Sequence, residues 1–299
     1  IIALTQYLLR YFVLRPLLGI HGYNLQLGEF NFFLLVLSSV LIAAGGYIIN
    51  DYFDTKVDRT NKPDKNVVGK GITRRAAMAL HITLNIIGIS IGFFLAYHVR
   101  EFWLAFINAA SAIVLWYYST HFKHQPVTGN LFISLLAALV VMIGLLFEFP
   151  LLVKYYNGSS GFENDIKILF AWFAGFSVFA FLTTLIREIV KDIEDIRGDL
   201  YVGSRTLPIA IGIKNTKAVL VVFVIFTFCL LVFVQSVFLS EKLIVVYLFL
   251  FIQAPLIFTL IKLLNSNYKK DYHLISRMLK FVMVFGVLLS VVFKFTVLS

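Results

Sequence analysis

Two stretches of this chain carry acidic side chains at a spacing that can do chemistry. In Asn50-Asp51-Tyr52-Phe53-Asp54-Thr55-Lys56-Val57-Asp58, the acids Asp51, Asp54 and Asp58 fall at i, i+3 and i+7. A helix advances about 100° per residue, so the three carboxylates lie within about 60° of one another. The same spacing returns in Asp192, Asp195 and Asp199 of Lys191-Asp192-Ile193-Glu194-Asp195-Ile196-Arg197-Gly198-Asp199. Each motif ends a long apolar run, 31–49 for the first and 168–186 for the second. Carboxylates gathered on one face repel each other unless a cation sits among them. Two such clusters in so apolar a chain predict a divalent-metal site. Its candidate ligands are Asn50, Asp51, Asp54, Asp58, Asp192, Asp195 and Asp199, and Asp54, Asp58, Asp192 and Asp195 are the expected catalytic acids.

Mg²⁺ suits such a site, because it takes hard oxygen ligands, keeps several waters and commonly shares carboxylates with substrate phosphates. Two clusters facing each other across a cleft predict two ions with a diphosphate between them, stabilising charge on a departing pyrophosphate. Basic residues beside the acids strengthen that reading. Arg187 and Lys191 are i, i+4 neighbours just before the second cluster. Arg59, Lys62, Lys123 and Arg205 also fall where they can reach an anion on the same side. A lone lysine such as Lys123 also has a purely topological explanation, as does each helix-end acid taken singly. The two matching motifs on one side argue against a merely solvated helix end. His81, His98, His121, His124 and His273 share no ligand spacing and are expected to be surface or packing residues.

The elements that must position these groups are membrane helices. The 299 residues are 60% hydrophobic and 14% charged, with a mean hydropathy of +0.89. A soluble protein of this length has no need of so much apolar surface, whereas repeated runs of about twenty residues match a ~30 Å hydrocarbon layer. Nine spans are expected, near 1–20, 30–50, 75–98, 102–120, 129–149, 166–190, 215–238, 243–263 and 275–297. The first is interrupted by Arg10, Arg15 and Pro16, for which snorkelling and a membrane-edge kink are the simpler explanation. Gly45-Gly46 ahead of the first motif would permit close helix packing or a bend. Of the 26 Lys and Arg residues, nineteen fall in the connections after even-numbered spans and five on the opposite face, with Arg10 and Arg15 in span one. The positive-inside rule then puts both acidic motifs on the cytoplasmic side of the membrane. The net charge of +10 is thus a matter of orientation and calls for no nucleic acid. Cys229 lies alone in an apolar run, which excludes a disulfide framework and a thiolate metal site. The expected fold class is an all-α polytopic membrane protein, with nine transmembrane helices around a cytoplasm-facing polar cavity. A single membrane domain spans 1–299.

The paired motifs carry a family resemblance. Asn-Asp-x-x-Asp-x-x-x-Asp at 50–58 with Asp-x-x-Asp-x-x-x-Asp at 192–199 resembles the UbiA-type membrane prenyltransferase superfamily. Tyr118-Ser119-x-x-Phe122-Lys123 ahead of Gly129-Asn130, and Gly203-Ser204-Arg205-Thr206-Leu207-Pro208, are similar to it as well. The resemblance implies Mg²⁺-dependent transfer of an isoprenoid chain from a prenyl diphosphate to a lipid-like or aromatic acceptor in the bilayer. It implies substrate-binding roles for Asn50, Arg59, Lys62, Tyr118, Lys123, Arg187, Lys191 and Arg205. The run from Arg187 to Asp195 resembles the archaeal-type ether-lipid branch, which adds geranylgeranyl to geranylgeranylglyceryl phosphate. Lys65-Asn66-Val67-Val68-Gly69-Lys70-Gly71 departs from the family's more usual Arg-Pro-x-x-Ser-Gly type of sequence.

Other readings account for less. A secondary transporter would place its binding residues near the bilayer midplane, whereas these acids sit at helix ends. A soluble isoprenoid diphosphate synthase would have amphipathic helices. A CDP-alcohol phosphotransferase would carry an Asp-Gly-x-x-Ala-Arg core, which does not occur. Prenylation of an aromatic quinone-pathway or tetrapyrrole acceptor remains open at this point.

Overall fold

The computed structural model describes residues 1–61, 68, 69 and 71–296, and side chains outside 56–61. Among them there is no β-strand. The helices are α1 (Ile2–Leu9), α2 (Arg15–Ile20), α3 (Glu29–Asn61), α4 (Arg74–Val99), α5 (Trp103–Thr120) and α6 (Thr128–Tyr156). Then come α7 (Phe162–Tyr201), the short α8 (Leu207–Ile211), α9 (Ile213–Phe238), α10 (Lys242–Leu248), α11 (Ala254–Leu264) and α12 (Lys269–Thr296). Seven rods are long and apolar enough to cross a membrane: α3, α4, α6, α7, α9, α10 with α11, and α12.

Two rods are broken by the same local chemistry. Pro16 lies in the first turn of α2 and Pro255 in the first turn of α11. Proline has no N–H to donate and its ring crowds the preceding turn. In both places a single π-turn, Arg10–Leu14 or Phe249–Gln253, absorbs the mismatch and the rod continues.

α6 divides the interior. Val141, Leu145 and Leu152 on one side of it join a core with α1, α2, α7 and α9–α12. Ile143, Phe147 and Leu151 on another side join a second core with α3, α4 and α5. Much of the remaining apolar surface faces outward, including Phe93, Phe94, Phe226, Phe233, Leu243 and Phe249. Patches of that extent belong against lipid. Close approach replaces hydrophobic driving force between such helices. A Cβ on Gly45 would lie 2.5 Å from Asn85 Nδ2, and one on Gly46 would lie 2.8 Å from a Leu115 methyl. The glycine pair therefore serves close packing of α3 against α4 and α5. His81 is indeed a packing residue: buried, it meets the Gly45 carbonyl through Nδ1 at 2.8 Å.

Arg10 differs from the snorkelling residue expected from sequence. It is 2% exposed, and its Nη1 meets Glu148 Oε2 at 3.2 Å. Its guanidinium also lies over the Phe32 ring at 4.2 Å and donates to the Leu27 carbonyl. Glu148 Oε1 accepts from the backbone N–H groups of Gln26 and Leu27. The reason is location: Arg10 sits at the π-turn, in mid-rod, where Phe32, the 21–28 connection and Glu148 of α6 enclose its side chain. One buried pair thus ties the first rod, the 21–28 connection and α6 together. Removing one partner of such a pair leaves an uncompensated charge and costs about 3–5 kcal/mol. Glu148→Leu should lower stability by that order in equilibrium unfolding from detergent micelles, and Arg10→Met/Glu148→Leu should recover much of the loss. A single variant as stable as the parent would remove the clamp from the account.

Candidate active site

The two acidic motifs are placed by helix length. At 1.5 Å per residue, the 33 residues of α3 and the 40 of α7 run about 50 and 60 Å. Both outreach a ~30 Å hydrocarbon layer, so their last turns overhang it, and those turns carry the motifs. α3 packs against α7, which brings Asp54 to the same end of the bundle as Asp192, Asp195 and Asp199.

Each acid there has a holder. Asn50 Nδ2 donates to Asp54 Oδ2 at 2.7 Å, one turn earlier on α3. Lys123 Nζ meets Asp54 Oδ1 at 2.5 Å, with the lysine side chain 10% exposed. Asn130 Nδ2, at the start of α6, donates to Asp192 Oδ2 at 2.7 Å. Thr206 Oγ1 lies 3.4 Å from Asp199 Oδ2, and Lys269 Nζ lies 3.8 Å from Asp195 Oδ1. The charge of Asp199 is felt with that of Asp54, and Lys123 acts on it too. Tyr118, at the end of α5, lies in electrostatic range of Asp54, Glu188, Asp192 and Asp199 together. The motifs therefore face a shared space.

Lys123 is held by a tight turn. Residues Phe122–His124 form one 3₁₀ turn between α5 and α6. A Cβ on Gly129 would lie 2.7 Å from the Phe122 carbonyl and 3.0 Å from Lys123 Cα. Only glycine lets α6 begin so close under the lysine. From the other side, the Arg205 N–H donates to the His124 carbonyl at 2.8 Å, and His124 Nδ1 meets Ser204 Oγ at 2.7 Å. The segment after the second motif is thereby stapled to the turn that carries the first motif's lysine.

The remaining expected residues fall as follows. Asp51 is half-buried and lies near Asp54 and Lys123. Arg187 Nη1 meets Glu188 Oε1 at 2.5 Å, and Lys191 Nζ meets Glu188 Oε2 at 3.2 Å, so these cations sit on α7 just before the acids. The Arg205 side chain is exposed, and its backbone makes the contact with the turn. The side chains of Asp58 and Arg59, together with Lys62 and most of 65–71, lie outside the described residues. Asn130 carries no role in the sequence motif, since its partner Asp192 lies on another helix.

The donor set fits a hard divalent cation. Every group is a carboxylate or an amide, and Asn50 Oδ1 is buried with no hydrogen-bond partner among the described residues. An acceptor oxygen left bare beside a carboxylate is costly unless it meets a cation or a donor. Among the described residues, no three His, Cys, Asp or Glu side chains converge on one point.

A family model described as UbiA prenyltransferase family matches residues 21–285. The chain belongs to this family. Within it, a digeranylgeranylglyceryl phosphate synthase of Sulfurisphaera tokodaii is 34% identical over 194 residues, 63% of this chain and 62% of that protein. The chain spans about three fifths of the length of the first curated relatives it matches. A solved structure of a digeranylgeranylglyceryl phosphate synthase in membranes superposes with a TM-score of 0.61 at 23% identity, covering 98% of this chain and 97% of that one. A UbiA homologue from Archaeoglobus fulgidus bound to DMAPP and Mg²⁺ superposes with a TM-score of 0.53 at 17% identity, over 96% of each chain. These superpositions establish a shared UbiA fold.

The staple makes a prediction. Burial, and next the neighbouring Lys123 charge, lower the His124 pKa below its ordinary 6.5. A histidine depressed on folding binds its proton more readily when unfolded, so its stabilisation is full above about pH 6.5 and fades as pH falls toward the folded value. Thermal unfolding in detergent should show a midpoint that drops between pH 6.5 and 5, and His124→Gln should flatten that part of the profile. An unchanged profile in the variant would assign the acid sensitivity elsewhere.

Proposed function

We propose that this protein transfers a geranylgeranyl group from geranylgeranyl diphosphate to geranylgeranylglyceryl phosphate in the synthesis of ether lipids, with Mg²⁺ as cofactor. The observation that carries this reading is the shared space between two acidic helix ends, with Lys123 paired to Asp54 at 2.5 Å inside it. The names of the first curated relatives, which are digeranylgeranylglyceryl phosphate synthases, favour the phosphorylated lipid acceptor over an aromatic one.

The residues divide the work. Asn50 and Asn130 hold Asp54 and Asp192 in fixed orientations, so neither carboxylate has to be ordered when substrate arrives. Asn50, Asp51, Asp54 and Asp58 would hold metal from one side, and Asp192, Asp195 and Asp199 from the other. Mg²⁺, when bound, supplies the positive charge against which a diphosphate leaves. Lys123, released from Asp54, is the cation closest to hand for that diphosphate, with Arg59 and Lys62 as further contacts from the first motif's side. Tyr118 lies between the two acidic groups, where its ring can face the breaking C–O bond. The isoprenoid tail lies among the apolar helices, which keep water from the allylic cation that forms as the bond breaks.

The same reading completes the membrane plan. α1 with α2, and α5, run as two further spans beside the seven, making nine around a polar cavity. The excess of Lys and Arg at the acidic end orients that cavity toward the cytoplasm, in the cell membrane.

The decisive assay uses purified protein, Mg²⁺, labelled geranylgeranyl diphosphate and a panel of phosphorylated and aromatic acceptors. Geranylgeranylglyceryl phosphate should be the preferred acceptor, and excess chelator should stop turnover. Asp54→Ala, Asp192→Ala and Asp195→Ala should each cut the rate by about a thousandfold or more, the scale of losing a main electrostatic contact in a transition state. Circular dichroism should stay near the parent's in all three, and so should melting in Asp192→Ala and Asp195→Ala, which relieve mutual repulsion, whereas Asp54→Ala leaves Lys123 unpaired and should melt lower. Brisk prenylation of an aromatic acceptor alone would overturn the ether-lipid assignment, and full activity in chelator would overturn the metal.

A further inference from the structure

A second concentration of charge lies on α7 just before the acids, where α7 packs against α12. The two helices are antiparallel: Lys269 at the start of α12 reaches Asp195 near the end of α7, while a Cβ on Gly286 would meet the Phe179 ring. Their register is set by His273, whose Nδ1 meets Glu194 Oε1 at 2.8 Å. Seven residues is close to two full turns. Two turns onward from His273 is Lys280, and two turns back from Glu194 is Arg187, so those residues lie level on facing sides. Consistent with this, Lys280 is in coulombic range of Arg187, Lys191, Glu188 and Glu194.

Charge does not balance there. Arg187 and Lys191 share the single carboxylate Glu188, which is 7% exposed. Glu194 is taken by His273, which also accepts from Arg277 Nε at 3.0 Å. Lys280 has no carboxylate within ion-pair distance among the described residues. Arg187, Lys191 and Lys280, with Arg277 beyond His273, thus outnumber the two carboxylates Glu188 and Glu194 at the edge of the hydrocarbon layer. Two polar atoms on the same face of α7 are also unsatisfied. Arg187 Nε is buried without a partner, and so is Thr184 Oγ1, one turn earlier on a residue 4% exposed. Like charges and bare donors in such a place call for an anion with several acceptor oxygens.

We propose that Arg187, Lys191 and Lys280, with the Thr184 hydroxyl, hold the phosphate monoester of the amphiphilic acceptor. This rests on the function proposed above and adds to it Lys280 and Thr184, which no motif contains. The position suits the division of labour. Arg187 lies five residues before Asp192, about 7.5 Å nearer the membrane along α7, so an acceptor phosphate there would leave the carboxylate space to the donor. The alternative for Lys280 is a positive-inside anchor that touches only lipid headgroups.

The full chain, reconstituted in phosphatidylcholine nanodiscs, distinguishes the two. Lys280→Gln should raise the KM for geranylgeranylglyceryl phosphate about tenfold and shift the KM for geranylgeranyl diphosphate less than twofold. Lys280→Arg should restore most of the loss, and Thr184→Val should weaken the acceptor in the same selective way. Equal shifts for both substrates, or none, would overturn the site. Equilibrium binding of geranylgeranylglyceryl phosphate in the absence of donor separates this inference from the one beneath it. Tenfold weaker binding in Lys280→Gln, in a protein that never prenylates that lipid, would uphold the anion site and sink the acceptor assignment. Normal turnover with binding indifferent to Lys280 would do the reverse.

Discussion

Mutual repulsion among carboxylates at the edge of a low-dielectric layer is the constraint from which the rest of this structure follows. Two helices each deliver acids on one face, and their packing brings Asp54 and Asp199 into each other's field. Left alone, such a cluster would push the helix ends apart. Lys123 opposes this directly through Asp54, and the amides of Asn50 and Asn130 satisfy one oxygen of two of the acids without adding charge. The chain around Lys123 is correspondingly stiff. It is a single 3₁₀ turn, pressed by the start of α6 at Gly129 and stapled through His124 to the segment that follows the second motif. A cation supplied by the protein is a substitute that can be displaced, which an apolar plug could not be.

The opposite end of the bundle solves a related problem by full neutralisation. Arg10 and Glu148 are both buried, and between them they also engage backbone groups of the 21–28 connection, the Phe32 ring and, from Arg10, Glu29 at 3.5 Å. Between the ends, Asn108 donates to Ser38 at 2.7 Å and Ser38 donates to the Gly88 carbonyl at 2.7 Å, linking α5, α3 and α4. Since lipid offers helices little hydrophobic reason to associate, such directional contacts and small-residue approaches determine which faces meet. The buried, paired charges at one end serve as an anchor. The under-neutralised groups at the other leave capacity for ligands.

How much of this was legible in the sequence depended on whether a feature is local. Helix existence was legible because about twenty apolar residues in a row admit few other structures. Asp51, Asp54, Asp192, Asp195 and Asp199 stood out in the sequence through an i, i+3, i+7 spacing repeated at two helix ends. Boundaries were less so: α7 runs to Tyr201 and α6 to Tyr156, beyond the apolar stretches, because a helix does not stop where its hydropathy falls. Arg10 was misread because snorkelling and burial look alike until a partner is known, and Glu148 lies 138 residues away. Asn130 and His124 were hidden for the same reason, each bonded across helices to a residue that no spacing rule connects to it. Lys123 was ambiguous as a lone cation and acquired meaning only from its carboxylate.

The two kinds of imbalance at the acidic end of the bundle are complementary in sign. The space between α3 and α7 holds excess acid, which favours a cation-bearing diphosphate. The flank between α7 and α12 holds excess base, with Arg187 and Lys191 sharing Glu188, which favours a bare phosphate. A single helix carries both, with the acids in its last turns and the bases just before them. Opposite charges a turn or two apart on one helix attract at short range, yet here Glu188 intercepts the bases before they reach the acids. Were Glu188 absent, Arg187 and Lys191 would be drawn toward Asp192 and Asp195 and would compete with metal for the same oxygens. The buried carboxylate between the two groups thus acts as a divider. It keeps an acidic group and a basic group distinct within about 10 Å of helix.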